Sequence, residues 1–171
     1  MDRHIHKDPQ GATPQFSPAA LSQAEEIFGR YPAEHRRSAL IPLLHLAQGE
    51  FGGWLSQESL DYVAGFIGMP PIRVYEVASF YTMFNLKPVG KYHVQVCTNL
   101  SCYICGSDGI VEALQAKVGI GPGQNSDDMR FTVSAVECLG ACINAPMMQI
   151  NDDYYENLTP EKVGEVIDRL P

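Results

Sequence analysis

Five cysteines carry the densest chemistry in this 171-residue chain, and they fall into two groups. Cys97, Cys102 and Cys105 stand in "VQVCTNLSCYICGSDGI", and Cys138 and Cys142 in "VECLGACINAPM". The N-terminus "MDRHIHKDPQ" has no apolar signal core and its Asp2 and Asp8 do not suit a transit peptide, which predicts a reducing compartment. There, and with an odd count, structural disulfides are disfavoured, so metal binding or redox work is the leading use of the thiols.

Composition narrows the partners. A net charge of −8 and no Lys/Arg cluster argue against nucleic acid as a partner. The longest apolar run, "ALIPLLHLA" at 39–47, holds a Pro and a His and falls well short of the roughly 20 residues a membrane span requires. The chain is expected to have no membrane span.

The elements that must position the cysteines can be read from caps and periodicity. Residues 1–16 are polar, carry Pro9, Gly11 and Pro14, and read as an extended N-terminal arm. Ser17 and Pro18 start a helix with Leu21, Ala24 and Phe28 on one face, ending at Gly29 and Pro32. A second helix covers 34–48, with Pro42 as a start or kink. Ser56 caps a third, Leu55 and Leu60 staple it, and Leu60, Val63, Ala64 and Ile67 form its stripe up to Gly68. A fourth begins at Pro71 with Ile72, Val74, Val77, Ala78 and Tyr81, so 17–86 reads as a helical bundle.

The period then changes. Over 87–171 the pattern predicts a strand at 91–96, a helix over 107–118 capped by Ser107, a loop "GIGPGQNSDD" and a strand at 131–137. A hairpin of "MMQI" and "YYEN" about "NDD" follows, then a helix capped by Thr159 with Val163, Val166, Ile167 and Leu170 as its stripe.

Strand, helix and strand over 91–137 form a β-α-β unit, and parallel strands in one sheet end at the same edge. Cys97 and Cys102 follow the first strand and Cys138 and Cys142 the second, so the fold brings the four together. Four thiolates at one edge suit a [2Fe–2S] cluster, two to each iron, and Gly106, Gly140 and Ala141 leave room for backbone N–H groups near the sulfurs. The helix starting at Ser107 also turns its positive end toward that edge.

At these residues the chain resembles the thioredoxin-like [2Fe–2S] subunits of respiratory complex I, NADH:quinone oxidoreductase. The resemblance covers about residues 15–170 and rests on "RVYEVASFYTMFNLKPVGKYHVQVCTNLSC", "VECLGACINAPMMQIND" and "YYENLTPEKV". It implies an α+β chain, an N-terminal helical bundle followed by a thioredoxin-like α/β [2Fe–2S] ferredoxin domain. It also implies that Cys97, Cys102, Cys138 and Cys142 hold one cluster, and that Pro146 follows a cis peptide bond beside the cluster loop. The implied role is electron transfer by a subunit that is inactive alone and docks on a flavoprotein carrying FMN and the NADH site, within the peripheral arm of the complex. That places it on the cytoplasmic side of a bacterial inner membrane, or on the matrix side of a mitochondrial one if the chain is a processed form. Similar subunits serve NAD-linked formate dehydrogenases and NAD-reducing hydrogenases, the alternative parents. Two departures stand out: Ser101 replaces the family's usual Pro, and Cys105 is surplus to its four ligands.

Cys105 supports rival readings. Cys97, Cys102 and Cys105 reproduce the C-x4-C-x2-C start of plant-type ferredoxins, and Cys102-Tyr103-Ile104-Cys105 matches a thiol–disulfide C-x-x-C. The first, completed by one downstream ligand, leaves Cys138 or Cys142 idle, the second explains neither, and a four-thiolate zinc site ignores the longer motifs. Under the leading reading Cys105 is a small buried residue. The short "GMPP" between helices could mark a helix-turn-helix, but Arg73 is the only basic residue from 56 to 86. The five histidines are scattered and none is assigned to metal. "SFYTMF" at 79–84 could be core or partner surface.

Overall fold

Serine and proline fix where the first helix begins. In the computed structural model, which describes every residue except Met1, Asp2, Gln10 and Ala12, Ser17 is extended and its hydroxyl accepts from the Ala20 N–H. Pro18 then opens α1, Pro18–Gly29. The buried face of α1 is Ala20, Ala24 and Ile27, whereas Leu21, expected on that face, is exposed. Alanines at i and i+4 let another helix approach closely, and the closest side of α1 is set by them rather than by the larger Leu21.

The chain divides into two compact units, Met1–Pro88 and Val89–Pro171. In the first, the helix expected over 34–48 is split into a 3-10 stretch, Ala33–Ala39, broken at His35, and α2, Leu40–Glu50. Pro42 lies in the first turn of α2, where an N–H has no partner within the helix, so it starts the helix without kinking it. Ser56 caps α3, Gln57–Ile67, through the Ser59 N–H, and Gly68 ends it in the left-handed region at φ 73°. Leu55 and Leu60 are both fully buried, as a hydrophobic staple requires.

Helix α4, Pro71–Phe80, buries Val74 and Ala78, but Ile72 is exposed. Tyr81 already has extended backbone and so leaves the helical stripe on which periodicity places it. The "SFYTMF" stretch divides: Phe84 is fully buried, while Phe80, Tyr81 and Met83 are exposed. The described part of the arm has no helix or strand, yet it is tied to its unit. The Arg3 guanidinium donates to the carbonyls of Ala78, Ser79, Tyr81 and Phe84, where α4 ends and leaves acceptors free. Phe16 is buried against Phe51, Tyr62 and Phe66. Met1, Asp2, Gln10 and Ala12 of the expected arm lie outside the described residues.

The second unit is a five-stranded sheet in the order β2-β3-β1-β4-β5. Its centre is β1, Tyr92–Cys97, parallel to β3, Phe131–Val136, with Tyr92 beside Phe131 and Cys97 beside Val136. Between them run α5, Leu100–Ile104, and α6, Ser107–Val118. The strands β4, Met148–Ile150, and β5, Asp153–Tyr155, form the expected hairpin, and Asn151 takes φ 53° in its turn. Helix α7, Pro160–Asp168, is capped by Thr159 through the Lys162 N–H. Val94, Val96, Val133 and Ile150 of the sheet share one core with Ile110 and Leu114 of α6 and Val163 and Ile167 of α7.

Three features of this unit differ from the sequence reading. Gln124–Asn125 forms a short edge strand, β2, inside the expected loop. Helix α5 has only five residues, too few to show a stripe. Ser107 does not cap α6: Gly106, at φ 94°, occupies the cap and Ser107 is already the first helical residue. Among the described residues no helix is long and apolar enough to cross a membrane.

Candidate metal centre

The register of β1 against β3 brings the cysteine loops together. Because Cys97 ends β1 opposite Val136, the chain leaving β3 reaches Cys138 within two residues of that pair. The Cys97 Sγ lies 3.7 Å from the Glu137 carbonyl, and the Thr98 N–H donates to the Val136 carbonyl. Asn99 then caps α5 with its side chain, and one helical turn carries Cys102 back over the strand end. Cys97 and Cys102 are both buried, in a small cluster with Met147 against which Leu139, Ala141 and Ala145 pack. Cys138 and Cys142 are exposed, the latter opening a 3-10 turn, Cys142–Asn144.

All five cysteines are free thiols. Burial pushes the Cys102 thiol up to about 11, and a hydrogen bond with Cys97 and the proximity of Cys97 and Cys142 act in the same direction. The Met147 backbone N–H opposes them, favouring the Cys102 thiolate. Cys97 and Cys142 are therefore both within electrostatic reach of Cys102, although Cys142 lies 40 residues further along the chain. Cys138 follows Glu137, whose carbonyl the Cys97 Sγ meets, and its own Sγ accepts the Gly140 N–H at 3.3 Å. Gly140 has φ 82°, a conformation that glycine adopts without steric cost.

Of the small residues expected near the sulfurs, Gly140 aims its N–H at one and Ala141 packs beside the buried pair. Gly106 does not, since its N–H donates to the Tyr103 carbonyl. Cys105 departs from expectation as well: it is exposed, at the C-terminal cap of α5, just before the left-handed Gly106. The Ala145–Pro146 bond is cis.

Residues of the hairpin hold the second cysteine loop, a role that sequence reasoning did not assign. The Tyr154 hydroxyl donates to the Leu139 carbonyl at 2.7 Å, and the Asn144 amide donates to Glu156 at 2.8 Å. The Asn157 N–H donates to the Asn144 carbonyl and the Leu158 N–H to that of Pro146. The motif "YYENLTPEKV" is a signal for this clamp, but only pairing of β4 with β5 turns Tyr154 onto the loop. His93 is also placed by the fold. Its ring shares a 2.9 Å hydrogen bond with Ser134, and burial pushes its imidazole down to about 4.

The donor set fits a [2Fe–2S] cluster. Buried Cys102 resists ionising in the protein alone, and iron is what would compensate a thiolate there, beside the equally buried Cys97. Backbone N–H groups at Cys102 and Cys138 are the donors that thiolate ligands use. Among the described residues no three His, Cys, Asp or Glu side chains converge on one metal ion. A binuclear cluster asks only two thiolates of each iron. Exposed Leu100, Tyr103 and Ile104 on α5 and Ile143 beside Cys142 make the surroundings of the site apolar.

Comparison with known proteins agrees with this geometry. The family described as thioredoxin-like [2Fe–2S] ferredoxin matches residues 24–171. A subunit of the NADH-quinone oxidoreductase of Rickettsia conorii is 54% identical over 155 residues, 91% of this chain and 93% of that protein. The mitochondrial NADH dehydrogenase [ubiquinone] flavoprotein 2 of Dictyostelium discoideum is 46% identical over 99% of this chain and 70% of its own length. Among solved structures, an NAD+-reducing [NiFe]-hydrogenase in the air-oxidized state superposes with a TM-score of 0.66 at 25% identity, over 76% of this chain and 22% of that one. The architecture read from the sequence, a helical bundle followed by a thioredoxin-like α/β domain, is the one found, and the chain belongs to the thioredoxin-like [2Fe–2S] ferredoxin family.

Proposed function

We propose that this chain is the electron-transfer component of an NADH:quinone oxidoreductase and that Cys97, Cys102, Cys138 and Cys142 hold its single [2Fe–2S] cluster. The observation that carries the proposal is the approach of both Cys97 and Cys142 to Cys102 at the sheet edge where parallel β1 and β3 end. The 54% identity to the Rickettsia conorii protein, across nearly its whole length, supports the parent complex. The bound cluster supplies one-electron transfer, and the protein supplies position and environment. Cys97 and Cys102 bury one pair of ligands, whereas exposed Cys138 and Cys142 keep the other at the surface, where an electron can enter or leave. Apolar Leu100, Tyr103, Ile104 and Ile143 give a flavoprotein carrying FMN and the NADH site a face to cover. The complex then sits as a peripheral arm on the cytoplasmic side of a bacterial inner membrane, or on the matrix side of a mitochondrial one.

The test is direct. Anaerobically purified protein should contain iron and acid-labile sulfide in equal amounts, about two of each per chain. It should oxidise NADH only after the flavoprotein is added. Zinc without sulfide, or turnover by the chain alone, would refute the reading. Likeness to the NAD+-reducing hydrogenase favours a second parent, but at 25% identity it is the weaker of the two.

A further inference from the structure

Ser107 has a polar atom that the fold leaves unpaired. The residue is fully buried, and its Oγ has no hydrogen-bond partner among the described residues. A buried hydroxyl without a partner costs about 1–3 kcal/mol, so such groups normally find one. A serine preceding a helix would usually spend its hydroxyl as the cap, but Gly106 holds that position and Ser107 is one residue too far in.

Its place in the fold says what the partner could be. Ser107, Ile110 and Leu114 are the buried residues of α6, spaced as one helical stripe. Ile110 and Leu114 cover the core with Val94 and Val96. A crossover helix starts at the edge where the preceding parallel strand ends, so the Ser107 end of that stripe lies at the edge of Cys97 and Val136. Only Cys105 and Gly106 separate it from α5, which carries Cys102. The first turn of α6 also directs the positive end of a 12-residue helix to that edge.

We infer that the Ser107 hydroxyl donates a hydrogen bond to a sulfur of the [2Fe–2S] cluster and so sets its reduction potential. The inference rests on the cluster proposed above. Reduction adds negative charge to the sulfurs, and a fixed donor stabilises the reduced form more than the oxidised one. Ser107 is thereby a tuning residue, and the four cysteines keep their role as ligands.

The experiment is a redox titration of the cluster-loaded chain followed by EPR, with vibrational spectra of the Fe–S modes taken in H2O and D2O. Ser107→Ala should keep its iron and sulfide. Its reduction equilibrium should move about tenfold toward the oxidised form, equivalent to about 59 mV for one electron, and it should lose part of the deuterium shift. A packing role alone would not change the deuterium sensitivity. Full iron and sulfide with an unmoved potential and an unmoved deuterium shift would overturn the inference and leave the proposed function standing. A wild-type chain without iron and sulfide would overturn both. If Ser107→Ala does not hold a cluster, Ser107→Cys decides: its similar size and weaker donor should shift the potential the same way by less, and an unmoved potential overturns the inference.

Discussion

The Tyr154 hydroxyl on β5 donates to the Leu139 carbonyl at 2.7 Å, pinning the loop between Cys138 and Cys142 to the hairpin. The bond fixes backbone, so its loss should loosen the exposed pair of thiols more than the buried pair. Tyr154→Phe keeps the ring and should cost about 0.5–1.5 kcal/mol. The expected readout is faster bleaching of the visible cluster absorption in chelator, with far-UV circular dichroism unchanged. Equal bleaching rates would remove the clamp from the account of cluster stability.

Cysteine substitutions should sort by loop rather than by proximity in sequence. Cys105 is exposed at the end of α5, so Cys105→Ser should retain iron, sulfide and the EPR signal of the reduced cluster. Cys138→Ser and Cys142→Ser should each lose or badly weaken that signal. Loss in Cys105→Ser with retention in either downstream variant would move the ligand set to the plant-type pattern.

Two glycines should respond to alanine with opposite signs. A Cβ at Gly90 would lie 2.7 Å from the Phe131 carbonyl carbon and 2.9 Å from the Met129 oxygen, backbone that cannot yield without moving β3. Gly90→Ala should destabilise the chain by about 1–3 kcal/mol. Gly164 is inside α7 with nothing within 4 Å of its would-be Cβ, so Gly164→Ala should stabilise by about 0.5–1 kcal/mol. Denaturant midpoints followed by circular dichroism would show both, and equal signs would contradict this geometry.

His93 should make part of the stability depend on pH. Burial lowers its folded-state value to about 4, against 6.5 for an unperturbed histidine. Between those values the unfolded chain binds more protons, so the contribution of neutral His93 is complete above about 6.5 and declines as pH falls toward about 4. His93→Gln lacks this titration. The wild-type advantage in unfolding midpoint should narrow from pH 7 to pH 5, over the range in which both proteins keep their cluster absorption. A constant difference would show that His93 titrates normally.

How far the fold is legible depends on the range of each interaction. The caps at Ser17, Ser56 and Thr159 and the left-handed end at Gly68 are contacts of two to four residues, and all are where the sequence places them. The parallel pairing of β1 and β3 also follows from sequence order, because a helix between two strands leaves little other topology. That step already implies that distant cysteines share an edge.

Other features depend on what each residue meets in space. Leu21 and Ile72 fit a helical stripe as well as their buried neighbours do, and only packing selects which side of the helix is covered. Five-residue α5 is too short for a periodic signal, so neither the burial of Cys102 nor the exposure of Cys105 can be read from "SCYIC". Ser107 has the sequence of a cap, yet the positive φ of Gly106 moves the helix start by one residue and leaves its hydroxyl buried and, among the described residues, unpaired. Residue types and their order were enough to name the thiols that could bind a cluster and the two strands that lead into them, since periodicity needs no distant partner. Which thiols are buried, that the Met147 N–H meets the Cys102 sulfur, and that Tyr154 holds the loop came only from the folded chain. Each depends on contacts between segments whose separation along the sequence carries no information about their distance.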